Sequence, residues 1–287
     1  MALGGTGIIF LGLSGYVLTT KKDFSFLGGF LMAGFLVVIL AALSLRLQLG
    51  VSQQLGIAAV RATLQLLLIG FVLKSLFAAS HWYWILLLSL LMLAIAGREV
   101  VARQRYRLRG WWGFGVGTSS MFVSTFVITT LVLILIIGNK PWYKPQYAIP
   151  LLGMMLGNTM TGIALGMNIL SQAAVQQRKI IEGRLMLGQS WKQAVHDITR
   201  DAMRTGMIPI INSMAAAGVV SLPGMMTGQI LAGSPPVIAV QYQILIMFMI
   251  TAGTGLGTIL AVKLTAARLF DERHRLRPER LRNPNGN

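Results

Sequence analysis

The segment at residues 178–204, RKIIEGRLMLGQSWKQAVHDITRDAMR, decides how the rest of the chain is interpreted. It carries 6 Lys or Arg residues, whereas the 33 residues before it and the 58 residues after it contain no Asp, Glu, Lys, Arg or His. A charged, amphipathic segment between two uncharged stretches is typical of a loop that projects from a membrane-embedded body. The sequence therefore predicts a membrane protein whose loop 178–204 is available to a soluble partner.

The composition supports a membrane location for most of the chain. Of its 287 residues, 55% are hydrophobic and only 11% are charged, against about 25% charged in a soluble domain. In lipid the backbone must satisfy its own hydrogen bonds, so spanning segments are helices or closed barrels. The apolar runs here do not alternate as barrel strands do, and many reach the length of about 20 residues that a helix needs. We expect an all-α, polytopic fold.

Seven transmembrane helices are predicted from these runs. They lie near residues 26–45, 57–77, 82–95, 116–137, 147–170, 206–222 and 237–262. The Gly-rich segment at residues 1–19 is a possible eighth helix, a surface segment or an artefact of the chosen start codon.

The organisation that follows has four parts. They are an N-terminal extension at 1–25, a transmembrane domain at 26–269, the loop 178–204 within it, and a basic tail at 270–287.

The basic residues indicate how the chain is oriented. The net charge is +17, and 18 of the 25 Lys and Arg residues fall in segments 98–109, 178–204 and 263–282. The positive-inside rule places these segments in the cytoplasm, so the N-terminus is predicted outside and the C-terminus inside. This distribution favours membrane topology over nucleic-acid binding, with attraction to anionic lipids as a secondary effect. The chain has no cysteine, which excludes disulfides and thiolate chemistry.

Within loop 178–204 the residues predict two short helices joined by a glycine turn. Glu182 to Leu187 suit the first helix, Gly188 suits a C-cap with positive φ, and Ser190 with Gln193 forms a capping-box pattern for the second. The second helix places an apolar stripe on one face, formed by Trp191, Ala194, Val195, Ile198 and Ala202. Such a stripe can lie on the membrane surface or dock in a groove of a soluble partner.

The spacing of Glu182, Gly188 and Ile198 resembles the EAA-type loop of ABC-transporter permeases, in which a glycine turn presents a short coupling helix to the ATPase. The family's Leu-Pro after the Ile is absent, and Ile208-Pro209 is its nearest equivalent. Four further segments together resemble the FetB (YbbM) family of bacterial membrane subunits, assigned to iron export and having plant aluminium-tolerance relatives. They are AVRATLQLLLIGFVLK (59–74), AIPLLGMMLGNTM (148–160), VVSLPGMMTGQILAG (219–233) and AVQYQILIMFM (239–249).

The resemblance implies a permease subunit, not an enzyme, that exports iron or another metal ion. It also implies a homodimer paired with a separate ABC ATPase; ATP would bind to that partner, and this chain would bind no cofactor. The residues implied for coupling to the ATPase are Glu182, Leu185, Leu187, Gly188, Trp191, Val195 and Ile198.

The predicted spans contain no carboxylate, which disfavours a self-powered secondary transporter. The sequence also has no phosphate-binding loop of the form G-x-x-x-x-G-K-[ST], so the nucleotide site is expected on another polypeptide. The three histidines fall in separate loops, so any ligands for a metal inside the membrane would be neutral side chains. The candidate pathway residues are Arg61, Gln65, Met154, Met155, Asn158, Asn212, Ser213, Met225, Met226, Gln241 and Gln243.

Two structural expectations concern the helices that flank the loop. Pro150 and Pro209 predict broken helices in the fifth and sixth spans, positions that often line a path. Glycines spaced four apart predict close helix packing, either within the chain or across a homodimer seam. These pairs are Gly153/Gly157, Gly162/Gly166, Gly224/Gly228 and Gly253/Gly257.

Two alternatives remain open at this stage. One keeps the transporter class and changes the cargo to an organic anion such as a nucleotide sugar. The other is a membrane scaffold or sensor that binds an ATPase and transports nothing.

Overall fold

The computed structural model describes residues 25–48, 50–79, 82–138, 141 and 143–282. Residues 1–19 and the end of the predicted tail lie outside this part of the chain. The chain divides into two compact units, Met1–Ala79 and Ser80–Asn287.

The described residues of the first unit form two helices, α1 (Ser25–Arg46) and α2 (Ser52–Ala79), which pack against each other. The chain turns between them through left-handed backbone at Gln48 and Gly50, with φ of 53° and 70°. Large apolar side chains on α2 are exposed, for example Leu66 at 70% and Phe71 at 74%. Such a surface is stable where hydrocarbon, and not water, surrounds the helix.

The second unit contains the remaining helices and one small sheet. In chain order these elements are α3 (Trp82–Ala102), β1 (Arg107–Leu108), α4 (Trp112–Met121), a π-helical segment (Phe122–Phe126), α5 (Val127–Val132), a second π-helical segment (Leu133–Ile137), α6 (Pro145–Gln176), α7 (Arg178–Met186), α8 (Trp191–Ala194), α9 (His196–Ala216), α10 (Gly224–Leu231), α11 (Pro236–Leu269), a 3₁₀ turn (Pro278–Arg280) and β2 (Leu281–Arg282).

Helix α6 forms the centre of this unit and packs against α3, α9 and α11. Ile163 and Met167 on α6 are completely buried, and each such side chain contributes about 1.5–3 kcal/mol when removed from water. Pro145 occupies the first turn of α6, where its missing N–H costs nothing. The helix then runs through Pro150 without ending.

Helix α9 differs from the prediction for the same residues. The sequence predicts that the second helix of loop 178–204 reaches Arg204 and that a separate span follows at 206–222. The structure instead has one continuous helix from His196 to Ala216. Helix α9 also passes through Pro209, so neither proline breaks its helix as predicted. A proline removes only one backbone hydrogen bond, and the packing of α9 against α6 and α11 outweighs that loss.

The C-terminal tail folds back onto the segment that follows α3. Strand β2 pairs antiparallel with β1, with Leu108 opposite Leu281, and the side chain of Leu108 is buried. The backbone N–H of Arg109 donates to the carbonyl of Arg280 at 2.7 Å and extends the ladder. Two basic segments that are far apart in the sequence therefore form one folded surface.

Five helical regions of the described residues are long and apolar enough to cross a membrane. They are Ser52–Lys74, Trp82–Ala102, Trp112–Ile136, Pro145–Gln176 and Pro236–Leu269. They correspond to five of the seven predicted spans, and the described apolar part of α1, Gly34–Arg46, is shorter. The polytopic helical class is therefore confirmed, while the count of seven spans and the sides of the two termini stay predictions.

Candidate functional site

The loop between α6 and α9 forms a compact turn with the predicted glycine at its centre. Helix α7 ends at Met186, and Gly188 follows with φ of 85°, a left-handed conformation that favours glycine. Ser190 precedes α8, and its backbone N–H donates to Oε1 of Gln193 at 3.0 Å. The predicted turn and capping box are thus present, although the first helix begins at Arg178 and the second ends at Ala194.

The inner side of this loop packs on the protein itself. Val195 and Ile198 are only 3% and 6% exposed and belong to the main apolar core of the second unit. The indole of Trp191 stacks on the ring of Phe270, with centroids 5.5 Å apart. The apolar stripe predicted to meet the membrane surface or a partner is therefore occupied by internal packing.

An ion pair holds the two arms of the loop together. Nη1 of Arg184 on α7 donates to Oδ2 of Asp197 at 2.8 Å and to the carbonyl of Ala194 at 3.2 Å. The glycine turn brings Arg184 of α7 within reach of Asp197 on α9. Glu182 bonds to Arg178 at 2.7 Å, within α7.

The outer side of the loop exposes two adjacent apolar side chains. Met186 and Leu187 are each 84% exposed, while Leu185 beside them packs partly against the core. We call Met186 and Leu187 the apolar tip. Among the residues predicted for coupling, only Leu187 belongs to the apolar tip, and Gly188 follows it directly. Met186 was not among them, although its position just before the turn was a usable signal.

The candidate pathway residues differ in how far they are exposed. Arg61 and Gln65 are exposed on α2 of the first unit. In the second unit, Met155, Met226 and Gln243 are buried. The remaining ones are half-buried or exposed: Met154, Met225, Asn158, Asn212, Ser213 and Gln241. Asn158 donates from Nδ2 to the carbonyl of Met154 at 2.8 Å, so its side chain is engaged with its own helix.

Buried hydroxyls that the sequence did not single out lie where α6, α9 and α11 cross. Thr159, Thr254 and Thr258 are at most 2% exposed, and no hydrogen bond reaches their side-chain oxygens from any described residue. The helices approach closely because the facing positions are Gly162 and Gly206: a Cβ on Gly162 would lie 2.6 Å from Cγ2 of Thr254 and 3.0 Å from the carbonyl oxygen of Gly206. We call this region, formed by Thr159, Thr254, Thr258 and the two glycines, the polar crossing.

The glycine pairs divide into two groups. Gly162/Gly166 and Gly253/Gly257 face neighbouring helices of the same chain, whereas a Cβ on Gly157, Gly224 or Gly228 would meet nothing within 4 Å. Metal ligands show no clustering: the described residues contain no group of three His, Asp or Glu side chains placed to hold an ion.

Comparisons with known proteins identify the family. The model of the uncharacterised protein family UPF0014 matches residues 27–270. The chain is 42% identical over 226 residues to UPF0014 membrane protein slr1647 of Synechocystis sp., covering 79% of this chain and 86% of that protein. No solved structure matches.

Two other relatives carry names that bear on function. The Probable iron export permease protein FetB of Escherichia coli is 32% identical over 250 residues, covering 85% of this chain and 92% of that protein. Protein ALUMINUM SENSITIVE 3 of Arabidopsis thaliana is 32% identical over 245 residues, covering 85% of this chain and 88% of that protein. With its family match and its apolar helices, the chain is a multi-pass membrane protein that belongs to the UPF0014 family.

Proposed function

We propose that this protein is the membrane permease subunit of an ABC transporter that exports iron or another metal ion, with ATP hydrolysed on a separate ATPase subunit. The relative named as a probable iron export permease supports both the permease class and the cargo. The observation that carries the ATPase partnership is the apolar tip at the glycine turn.

The apolar tip has the properties of a docking element. Met186 and Leu187 are the most exposed apolar side chains of loop 178–204, at 84% each, whereas Ile181, Val195 and Ile198 are buried. Charged residues flank the tip on both sides. Removing one such side chain from water contributes about 1.5–3 kcal/mol, which makes two adjacent ones suitable anchors for a groove on a partner. Methionine adapts its shape readily to such a groove.

The structure also suggests how a partner's movement would reach the membrane. Arg184 ties the tip-bearing helix α7 to Asp197 on α9, and α9 continues without interruption to Ala216. Gly206 of the same helix contacts α6 and Thr258 of α11 at the polar crossing. A displacement of the tip would therefore move α9 as a rigid rod against the two central helices.

Co-purification of the intact chain from its native membrane tests the partnership. The variant Met186→Ser with Leu187→Ser should lose a stoichiometric ABC ATPase that the wild type retains. The matched control is Val219→Ser with Val220→Ser, because these adjacent side chains are 87% and 84% exposed at the other end of α9. Capture of the ATPase by both variants equally would contradict the proposed role of the tip.

We propose that two copies of the permease pair with two ATPase subunits. The open faces of Gly224 and Gly228 on α10, where a Cβ would meet nothing, support a second copy packing closely there, since small residues let helix backbones approach. Introducing bulk with Gly224→Leu and Gly228→Leu should convert a dimer to a monomer in detergent, measured by light scattering.

The alternative cargo is an organic anion such as a nucleotide sugar. The described residues contain no group of three His, Asp or Glu side chains placed to hold an ion, and imidazole and carboxylate are the ligands that iron prefers. Flux of Fe²⁺ and of a nucleotide sugar in proteoliposomes containing both subunits would separate the two cargoes.

A further inference from the structure

Two adjoining clefts lie where the β1–β2 ladder meets the ends of α4 and α11. The first has a volume of about 340 Å³ and is lined by Arg109, Arg268, Arg280 and Glu279 together with Gly110 and Trp112. The second has a volume of about 680 Å³ and is lined mainly by Trp111, Gly115, Val116 and Leu264. Both clefts include Gly110 and Trp112, so a polar compartment opens directly into an apolar one.

The polar compartment has an excess of positive charge. The guanidinium of Arg268 lies 3.8 Å from the centroid of the Trp112 ring, and Nη1 of Arg280 donates to the carbonyls of Arg268 and Phe270 at 2.7 and 2.9 Å. These contacts hold two of the three arginines in place. The single carboxylate, Glu279, already accepts a bond from Arg277 at 3.2 Å.

The neighbouring strand pair adds to this excess. Arg107 on β1 stands directly opposite Arg282 on β2, and like charges in such positions repel. Within the cleft itself three arginines, Arg109, Arg268 and Arg280, face one carboxylate, which makes the compartment complementary to a phosphate group.

The apolar compartment lies along helices that cross the membrane. Residues 112–136 and 236–269 both qualify as spans, and the groove between them is lined by Trp112 and Leu264, which are 52% and 45% exposed. Trp111, at the edge of the same groove, is 83% exposed. Tryptophan at the end of a span marks the level of the lipid headgroups, so the groove faces acyl chains and the polar compartment faces headgroups.

We propose that this pair of clefts binds one anionic phospholipid, with its phosphate held by Arg109, Arg268 and Arg280 and an acyl chain in the groove beside Gly115. The occupant is a lipid and not a free phosphate because the polar compartment continues into an apolar groove on the membrane-spanning surface. The positive-inside rule places these arginines at the cytoplasmic leaflet, where anionic lipids are found. The site is independent of the proposed ATPase partnership.

Native mass spectrometry of the full chain in detergent tests the proposal. The protein is titrated with dioleoyl phosphatidylglycerol, dioleoyl phosphatidylcholine and sn-glycerol 3-phosphate. We expect the wild type to prefer phosphatidylglycerol over phosphatidylcholine by about tenfold or more, and glycerol phosphate not to displace the bound lipid. Each arginine near a lipid surface is worth about fivefold in binding, so Arg109→Gln should reduce the preference about fivefold and Arg109→Gln with Arg268→Gln should abolish it.

A second variant fills the groove without removing a charge. A Cβ on Gly115 would meet nothing within 4 Å, so Gly115→Leu places a side chain in the apolar compartment while leaving the helix intact. It should also lose the lipid preference. The matched charge control is Arg105→Gln with Arg273→Gln, because both residues are exposed and neither lines the clefts; this variant should keep the preference.

Three results would overturn the proposal. The first is an unchanged preference in Arg109→Gln or in Gly115→Leu at an unchanged thermal midpoint. The second is an equal loss in the charge control, which would indicate general attraction of a basic surface to anionic lipid. The third is displacement of the lipid by glycerol phosphate at equal concentration, which would indicate a free-phosphate site.

Discussion

Single glycines determine how closely the central helices approach each other. A Cβ on Gly206 would lie 2.6 Å from Cγ2 of Thr258 and 2.7 Å from the carbonyl oxygen of Gly162, distances that real Cβ atoms do not show. Gly157 lies on α6 within the same glycine-rich stretch and has open space beside it. Gly157 and Gly162 both belong to pairs of glycines spaced four apart, so only the packing distinguishes an essential glycine from a replaceable one.

Substitution of these two glycines should have opposite effects on stability. Gly162→Ala should lower the free energy of unfolding by about 1–3 kcal/mol because it overpacks the crossing. Gly157→Ala should raise it by about 0.5–1 kcal/mol because alanine is the better helix former. Thermal unfolding of both variants in the same detergent measures the difference, and equal midpoints would show that the helices do not cross here as described.

Asp271 stabilises the C-terminal tail through the hydrogen bonds of its side chain. Its carboxylate accepts bonds from the backbone N–H groups of Arg275 and Arg273 at 2.8 and 3.1 Å and from the side chains of Arg275 and Arg277. The backbone bond from Arg275, and then the two arginine side chains, hold the pKa of Asp271 well below its ordinary value of 3.8.

The lowered pKa predicts a dependence of stability on pH. A carboxyl whose folded pKa lies below its unfolded pKa stabilises the folded state fully above the unfolded value and loses that effect as the pH falls towards the folded one. Asp271→Asn should therefore unfold at a lower temperature than the wild type by a constant gap from about pH 5 to pH 8, and the gap should narrow below about pH 4. A gap that widens on acidification would contradict this role.

At the scale of elements, loop 178–204 has an apolar stripe that is buried against the protein and an apolar tip that is exposed. The side chains of Trp191, Val195 and Ile198 pack on the core of the second unit. Those of Met186 and Leu187 are exposed. The sequence predicted the turn and the caps because those depend on neighbouring residues alone. It could not predict which apolar residues would be buried, because their partners, such as Phe270, lie far away along the chain.

The two residues of the ion pair in loop 178–204 should differ in how strongly their replacement affects capture of the ATPase. Arg184 donates hydrogen bonds to Asp197 and to the carbonyl of Ala194, so its replacement removes both. Replacement of Asp197 removes only the first. The pair is partly exposed, with side-chain exposures of 36% and 63%, so the ion pair itself is worth about 0–1 kcal/mol. Arg184→Ala should reduce capture of the ATPase more than Asp197→Ala does, measured by quantitative co-purification; the reverse order would argue against Arg184 as the link between α7 and α9.

At the scale of the whole molecule, the tail is part of the fold of the second unit. Leu108 is buried opposite Leu281 on β2, and Arg280 bonds to the carbonyls at the end of α11. Residues that look like a solvated basic extension in the sequence therefore cover the end of the bundle.

Truncation tests this arrangement. Ending the chain after Phe270 removes β2 and the bonds from Arg280, so its thermal midpoint should fall by several degrees, corresponding to about 1–3 kcal/mol for buried groups that lose their partners. Ending the chain after Arg282 leaves every one of these contacts in place and serves as the control. Two truncations with the same midpoint would show that the tail does not stabilise the bundle.

The sequence by itself determined the membrane class, the position of the loop, its glycine turn and the family, because each depends on local composition, hydrophobic length or short motifs. Only the tertiary structure decided that α9 is one helix through Pro209, that the Trp191 stripe is buried, and that the basic tail pairs with residues 107–108. It also decided that Thr254 and Thr258 pack against Gly162. The physical reason is that burial and pairing depend on which distant side chains and backbones meet, and that information is spread over the whole chain, not held in any one segment.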